Sequence, residues 1–65
     1  MFIAHKTLRI NLDKVRRIYL AERKIIIEYT EEISEYINFN TEQEASDCLK
    51  RIDQHIAIND ILITI

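Results

Sequence analysis

The sequence predicts an α+β domain: a four- to five-stranded, mainly antiparallel meander with one amphipathic helix packed on a face, in the order β-β-β-β-α-β. Three observations carry this reading. Short runs of apolar residues, alternating or continuous, recur through the first forty positions with turn-forming residues between them. A capping sequence at Thr41–Glu44 then opens a stretch whose apolar residues fall at helical spacing. Finally, fourteen Ile and six Leu or Val residues stand among 65, and β-branched side chains suit a pleated surface.

Taken in order, the first strand spans about residues 2–10, with Phe2, Ala4, Leu8 and Ile10 on one face, Lys6 interrupting it, and His5, Thr7 and Arg9 opposite. Asn11-Leu12-Asp13-Lys14 reads as a turn, because Asn and Asp side chains bond to nearby backbone groups. A second strand follows at about Val15–Leu20, where Val15 and Ile18 lie an odd distance apart. A bulge at Arg16-Arg17 would turn both inward, since one extra residue resets the phase. Ala21-Glu22-Arg23-Lys24 forms the next turn, and Ile25–Thr30 begins with three consecutive isoleucines. Being apolar on both faces, that strand is expected at the centre of the sheet. Glu31-Glu32 reverses the chain again, and Ile33–Phe39 alternates Ile33, Ile37 and Phe39 with Ser34, Tyr36 and Asn38. Glu35 breaks the inward face, as suits an edge strand, where an inward charge discourages unwanted pairing.

Thr41-Glu42-Gln43-Glu44 has the form of a capping box. Acids fill the first turn while Lys50, Arg51 and His55 come later, which complements the helix dipole. Ala45, Cys48, Leu49, Ile52 and Ile56 make one apolar stripe. The periodicity ends near residues 57–59, Asn59-Asp60 makes a turn, and Asp60–Ile65 alternates Ile61, Ile63 and Ile65 as a last strand. That strand either returns beside strand one as an antiparallel neighbour or reaches into a second subunit.

Size and composition bound the function. Sixty-five residues make one domain, and a chain this short buries only about 60% of the surface it exposes unfolded. One cysteine excludes an internal disulfide. Cys48, His5 and His55 are too few and too scattered for a structural zinc, so no metal or cofactor is expected. No apolar run approaches the roughly 20 residues of a membrane helix. The opening Met1–Lys6 lacks the pattern of a signal peptide, and the expected location is the cytoplasm. Charge is strongly bipolar. Residues 1–24 hold seven bases against two acids, and residues 25–65 hold two against nine, giving the net −2.

No catalytic arrangement is legible. Cys48 and His55 are seven residues apart on one helix face, about 10 Å by the helical rise, too far for a nucleophile and its base. The plain reading of Glu28, Glu31, Glu32 and Glu35 is a solvated surface; the sharper one is an acidic ladder from Glu28 to Asp53 that mimics a phosphate backbone. Lys14, Arg16, Arg17, Arg23 and Lys24 flank Tyr19 on one hairpin, the ingredients of a single-strand nucleic-acid contact. With one aromatic and an acidic chain overall, a solvated hairpin is the plainer account. The apolar count points elsewhere. One helix covers one sheet face, so Tyr19, Ile26, Tyr36 and Leu62 are expected on the opposite face as an oligomer interface. The function expected is therefore a small non-enzymatic interaction module, a homo-oligomer that binds another macromolecule, with a nucleic-acid-binding regulator as the alternative and an acidic inhibitor as a third reading.

Overall fold

The chain reverses at Lys6-Thr7, inside the segment that reads as a single strand. A computed structural model, describing residues 1–58 and 61–65, has β1 at Phe2–His5 and β2 at Leu8–Asn11, paired antiparallel with His5 opposite Leu8 and Ile3 opposite Ile10. A two-residue loop makes odd positions of one arm oppose even positions of the other. Ile3 and Ile10 therefore share the core face, each fully buried, while Phe2 turns outward at 42% exposure. A continuous strand would have put Phe2 and Ile10 together. The loop carries none of the usual turn residues; Lys6 adopts a φ of 54° itself. Nothing local in the sequence marks it.

Asn11 then caps a 3₁₀ turn at Leu12–Lys14, its Oδ1 accepting from the Asp13 N–H at 3.0 Å. β3 (Arg17–Ala21), β4 (Lys24–Glu28) and β5 (Ser34–Asn38) follow as an antiparallel meander. β4 is central and β5 is an edge, as the isoleucine run and the inward Glu35 predict. Arg16 N–H donates to the Glu28 carbonyl at 2.7 Å although Arg17 is the residue opposite Glu28. Two residues thus face one where the bulge is expected, and Val15, just before the strand, packs on the core with Ile18. The β3–β4 loop is Glu22-Arg23, with Glu22 at φ 58°. In the β4–β5 loop Thr30 Oγ1 accepts from Glu32 and Ile33 N–H at 3.2 and 3.0 Å.

α1 runs from Glu42 to Ala57, and Thr41 Oγ1 accepts from the Glu44 N–H at 3.1 Å, the predicted cap. Ala45, Cys48 and Ile52 are its buried residues. The turn predicted at Asn59-Asp60 lies outside the described residues. β6 (Leu62–Thr64) pairs within the chain, parallel to β1, with Ile63 opposite Ile3. Parallel pairing corrects the antiparallel expectation: parallel neighbours need a long connection, and here the whole second sheet and α1 lie between β1 and β6.

The strands form two three-stranded sheets, β2-β1-β6 and β3-β4-β5, instead of one meander. Both sheets and the helix meet in one cluster: Ile3, Ile10 and Ile63 from the first sheet, Ile25, Ile27 and Ile37 from the second, Cys48 and Ile52 from α1. The second sheet thus buries part of the aliphatic surplus that one helix cannot cover, while Leu20, Ile33, Ile56, Ile58, Ile61 and Leu62 stay exposed.

Candidate interaction face

Register decides what the outer face of the second sheet presents. Tyr19 stands opposite Ile26, and Ile26 opposite Tyr36, so three residues from three strands form one transverse row. Cross-strand neighbours in such a row lie about 5 Å apart. Above and below it the same face holds Ala21, Lys24 and Asn38, and Arg17, Glu28 and Ser34. The core-facing rows are Leu20–Ile25–Ile37 and Ile18–Ile27–Glu35, with the Glu35 carboxylate accepting from Tyr29 Oη at 3.2 Å. Burial, then the charge and hydrogen bond of Glu35, push the Tyr29 phenol pKa up.

The row is closed by cations. The Arg17 guanidinium carbon lies 4.8 Å from the Tyr19 ring centroid, and Lys24 Nζ lies 5.1 Å from that of Tyr36, within cation–π range. Tyr36 keeps 56% of its surface open, whereas Ile26 between the two rings is only 9% exposed. Ile26 is absent from the core cluster, so its neighbours on the outer face, not the core, shield it. Its burial is achieved by one chain alone. Three of the four residues expected at the oligomer interface are thus brought together, and Leu62 is not: it belongs to the other sheet, opposite Phe2.

Glu28 anchors one end of this face. Its carboxylate, 9% exposed, takes Arg17 Nε and Nη2 on Oε2, both at 3.1 Å, and Arg16 Nε on Oε1 at 3.4 Å. Arg16 also reaches Glu31 at 3.9 Å. The hydrogen bond and charge of Glu28 raise the Arg17 pKa, holding the guanidinium protonated. Two of the six residues proposed for nucleic-acid contact, Arg16 and Arg17, are thus ion-paired within the chain, sharing one carboxylate while staying half-exposed. Of the others, Lys14 ends the 3₁₀ turn, Arg23 sits in the β3–β4 loop, and Tyr19 and Lys24 belong to the outer face. The acidic ladder is broken as well: Glu28 is paired on the outer face and Glu35 lies on the core side, while Glu42, Glu44, Asp47 and Asp53 are exposed on α1.

No family model, curated protein or solved structure matches this chain. Among the described residues no three His, Cys, Asp or Glu side chains gather to hold a metal. His5 Nδ1 lies 3.0 Å from the Ile65 carbonyl, and the Cys48 thiol is buried, which pushes its pKa up. No described helix is long and apolar enough to cross a membrane. The Glu28 clamp and the Lys24–Tyr36 contact escape a sequence reading because each depends on the register between strands, and no local pattern encodes that.

Proposed function

We propose that this chain is a small non-enzymatic interaction module, working as a homo-oligomer, that binds another protein through the Tyr19–Ile26–Tyr36 row. The observation that carries the reading is the exposed Tyr36 ring held beside a covered isoleucine and a second tyrosine on a three-stranded sheet. Aromatic side chains that are rigid before contact lose little conformational freedom on binding, and Tyr is enriched at protein interfaces for that reason. Lys24 and Arg17 hold the rings in place, and Glu28 holds Arg17.

A second reading has its own support. A sheet face with two tyrosines and stacked cations matches how single strands are held, through bases on aromatics and phosphates on Lys or Arg. The basic hairpin supplies Tyr19, and Tyr36 stands on the same face two strands away, across Ile26, with Lys24 against its ring.

One experiment separates the two: capture from the native host with wild-type protein and with Tyr36→Ala, each with and without nuclease. A protein retained by wild type, resistant to nuclease and lost with Tyr36→Ala supports the first reading. Binding that disappears on nuclease treatment, and to oligonucleotides falls steeply between ~50 and ~200 mM salt, moves the assignment to the second. Capture unaffected by Tyr36→Ala removes this face from both.

A further inference from the structure

Two three-stranded sheets leave four strand edges: β2 and β6 in the first, β3 and β5 in the second. An unpaired edge is a template for a further strand, and proteins blunt such edges with charges, inward-pointing acids or bulges. Three of the four are blunted here. β2 carries the exposed Arg9, β3 opens with Arg16-Arg17 sharing Glu28, and β5 carries Glu35 on its core side. β6 has none of these devices. Ile61-Leu62-Ile63-Thr64-Ile65 has no charged side chain, and Ile61 and Leu62 are 83% and 53% exposed.

The backbone of β6 is also ready to pair. Phe2 N–H donates to the Ile61 carbonyl and Ile65 N–H donates to the Ala4 carbonyl, each at 2.8 Å. In a parallel ladder alternate residues turn both polar groups toward the same neighbour. Ile61, Ile63 and Ile65 therefore serve β1, and Leu62 and Thr64 direct their N–H and C=O groups away from the sheet.

We propose that the β6 edge pairs antiparallel with β6 of a second copy of this chain about a two-fold axis at Ile63. In that register Leu62 of each chain stands opposite Thr64 of the other. Both are outward-directed residues, so all four outward N–H groups find the four outward carbonyls. Few other registers satisfy every group, and a symmetric contact uses the same patch on both copies. The absence of charged side chains suits a second copy: Leu62 meets Thr64 and Ile63 meets Ile63, so pairing buries no side-chain charge on this strand. The product is a continuous six-stranded sheet, β2-β1-β6-β6-β1-β2, that covers Leu62 and leaves the tyrosine row free for a partner. This inference deepens the homo-oligomer reading above and rests on it.

Proline placed where an N–H points outward removes an edge donor without touching the ladder to β1. The experiment is light scattering over a concentration series on wild type, Thr64→Pro and Tyr36→Ala, with circular dichroism to confirm folding. The expected result is a wild-type dimer, at twice 7.8 kDa, with Tyr36→Ala unchanged. Thr64→Pro is expected to be a folded monomer, its dissociation constant raised about a hundredfold or more by two lost bonds and two carbonyls left unpaired. If Thr64→Pro fails to fold, Leu62→Lys tests the same edge with the backbone intact and is likewise expected to be monomeric. A wild type that stays monomeric when concentrated overturns both the edge and the homo-oligomer reading. A dimer that survives the edge variants, or dissociates with Tyr36→Ala, overturns the edge alone.

Discussion

The two hairpin loops allow a test in which the sign of the effect depends on a single backbone angle. Among the described residues, Lys6 and Glu22 have positive φ, at 54° and 58°, in a protein with no glycine. A residue with a Cβ pays about 1–2 kcal/mol to sit in the left-handed region. Glycine removes that cost but loses about 0.5–1 kcal/mol more chain entropy on folding. Lys6→Gly and Glu22→Gly should each therefore stabilise by roughly 0.5–1 kcal/mol. The loops belong to different sheets, so the effects should add to about 1–2 kcal/mol. For a domain of this size that is a rise of roughly 5–15 °C in Tm. The control is the other residue of each loop. Thr7 and Arg23 have negative φ, so Thr7→Gly and Arg23→Gly bring only the entropy loss, about 0.5–1 kcal/mol of destabilisation. Urea midpoints and thermal melts by circular dichroism measure all four. Should Lys6→Gly and Glu22→Gly fall along with the controls, Lys6 and Glu22 do not occupy the left-handed region.

Three further outcomes follow from the packing. Thr41→Ala removes the acceptor for the Glu44 N–H and should cost about 1 kcal/mol in the urea midpoint; no change would mean that α1 starts elsewhere. Ile26→Ala should cost about 2 kcal/mol, the low end for a buried isoleucine because the open Tyr36 ring can relax into the space; an effect near zero at every protein concentration would show that the tyrosines do not cover it. Stability should fall as pH rises above about 9. The Cys48 thiol and Tyr29 phenol are both raised in the folded state, so the unfolded chain releases those protons first and gains from doing so. The effect is absent below the unfolded pKa values and grows toward the folded ones. Cys48→Ala and Tyr29→Phe should each flatten the fall, and an unaltered alkaline limb in both variants would refute the assignment.

Much of the architecture is set by local chemistry and can be read from the chain. Thr41 and Glu44 fix where the helix begins, because a side-chain oxygen and an orphan N–H three residues on are local partners. Ile25-Ile26-Ile27 must bury both faces of one strand, so that strand is central. Asn11 and Asp13 bond within their own turn. Tyr19, Ile26 and Tyr36 sharing a face also follows from period-two alternation once the β3–β4 turn is placed. Other features depend on contacts between distant residues. The Lys6-Thr7 reversal has no turn chemistry of its own; it is imposed by the gain of placing Ile3 beside Ile10 and Ile63 in the core. The division into two sheets and the parallel return of β6 depend on where α1 crosses, and no short stretch of sequence records that. The pairing of Arg16 and Arg17 with Glu28 requires the β3–β4 register, and the separation of Leu62 from the tyrosine row requires the second sheet. Backbone and side-chain preferences act over a few residues and so determined the helix, the caps and the faces of the strands. Which strands became neighbours, and so which surface each face presents, was decided by burial of one shared core.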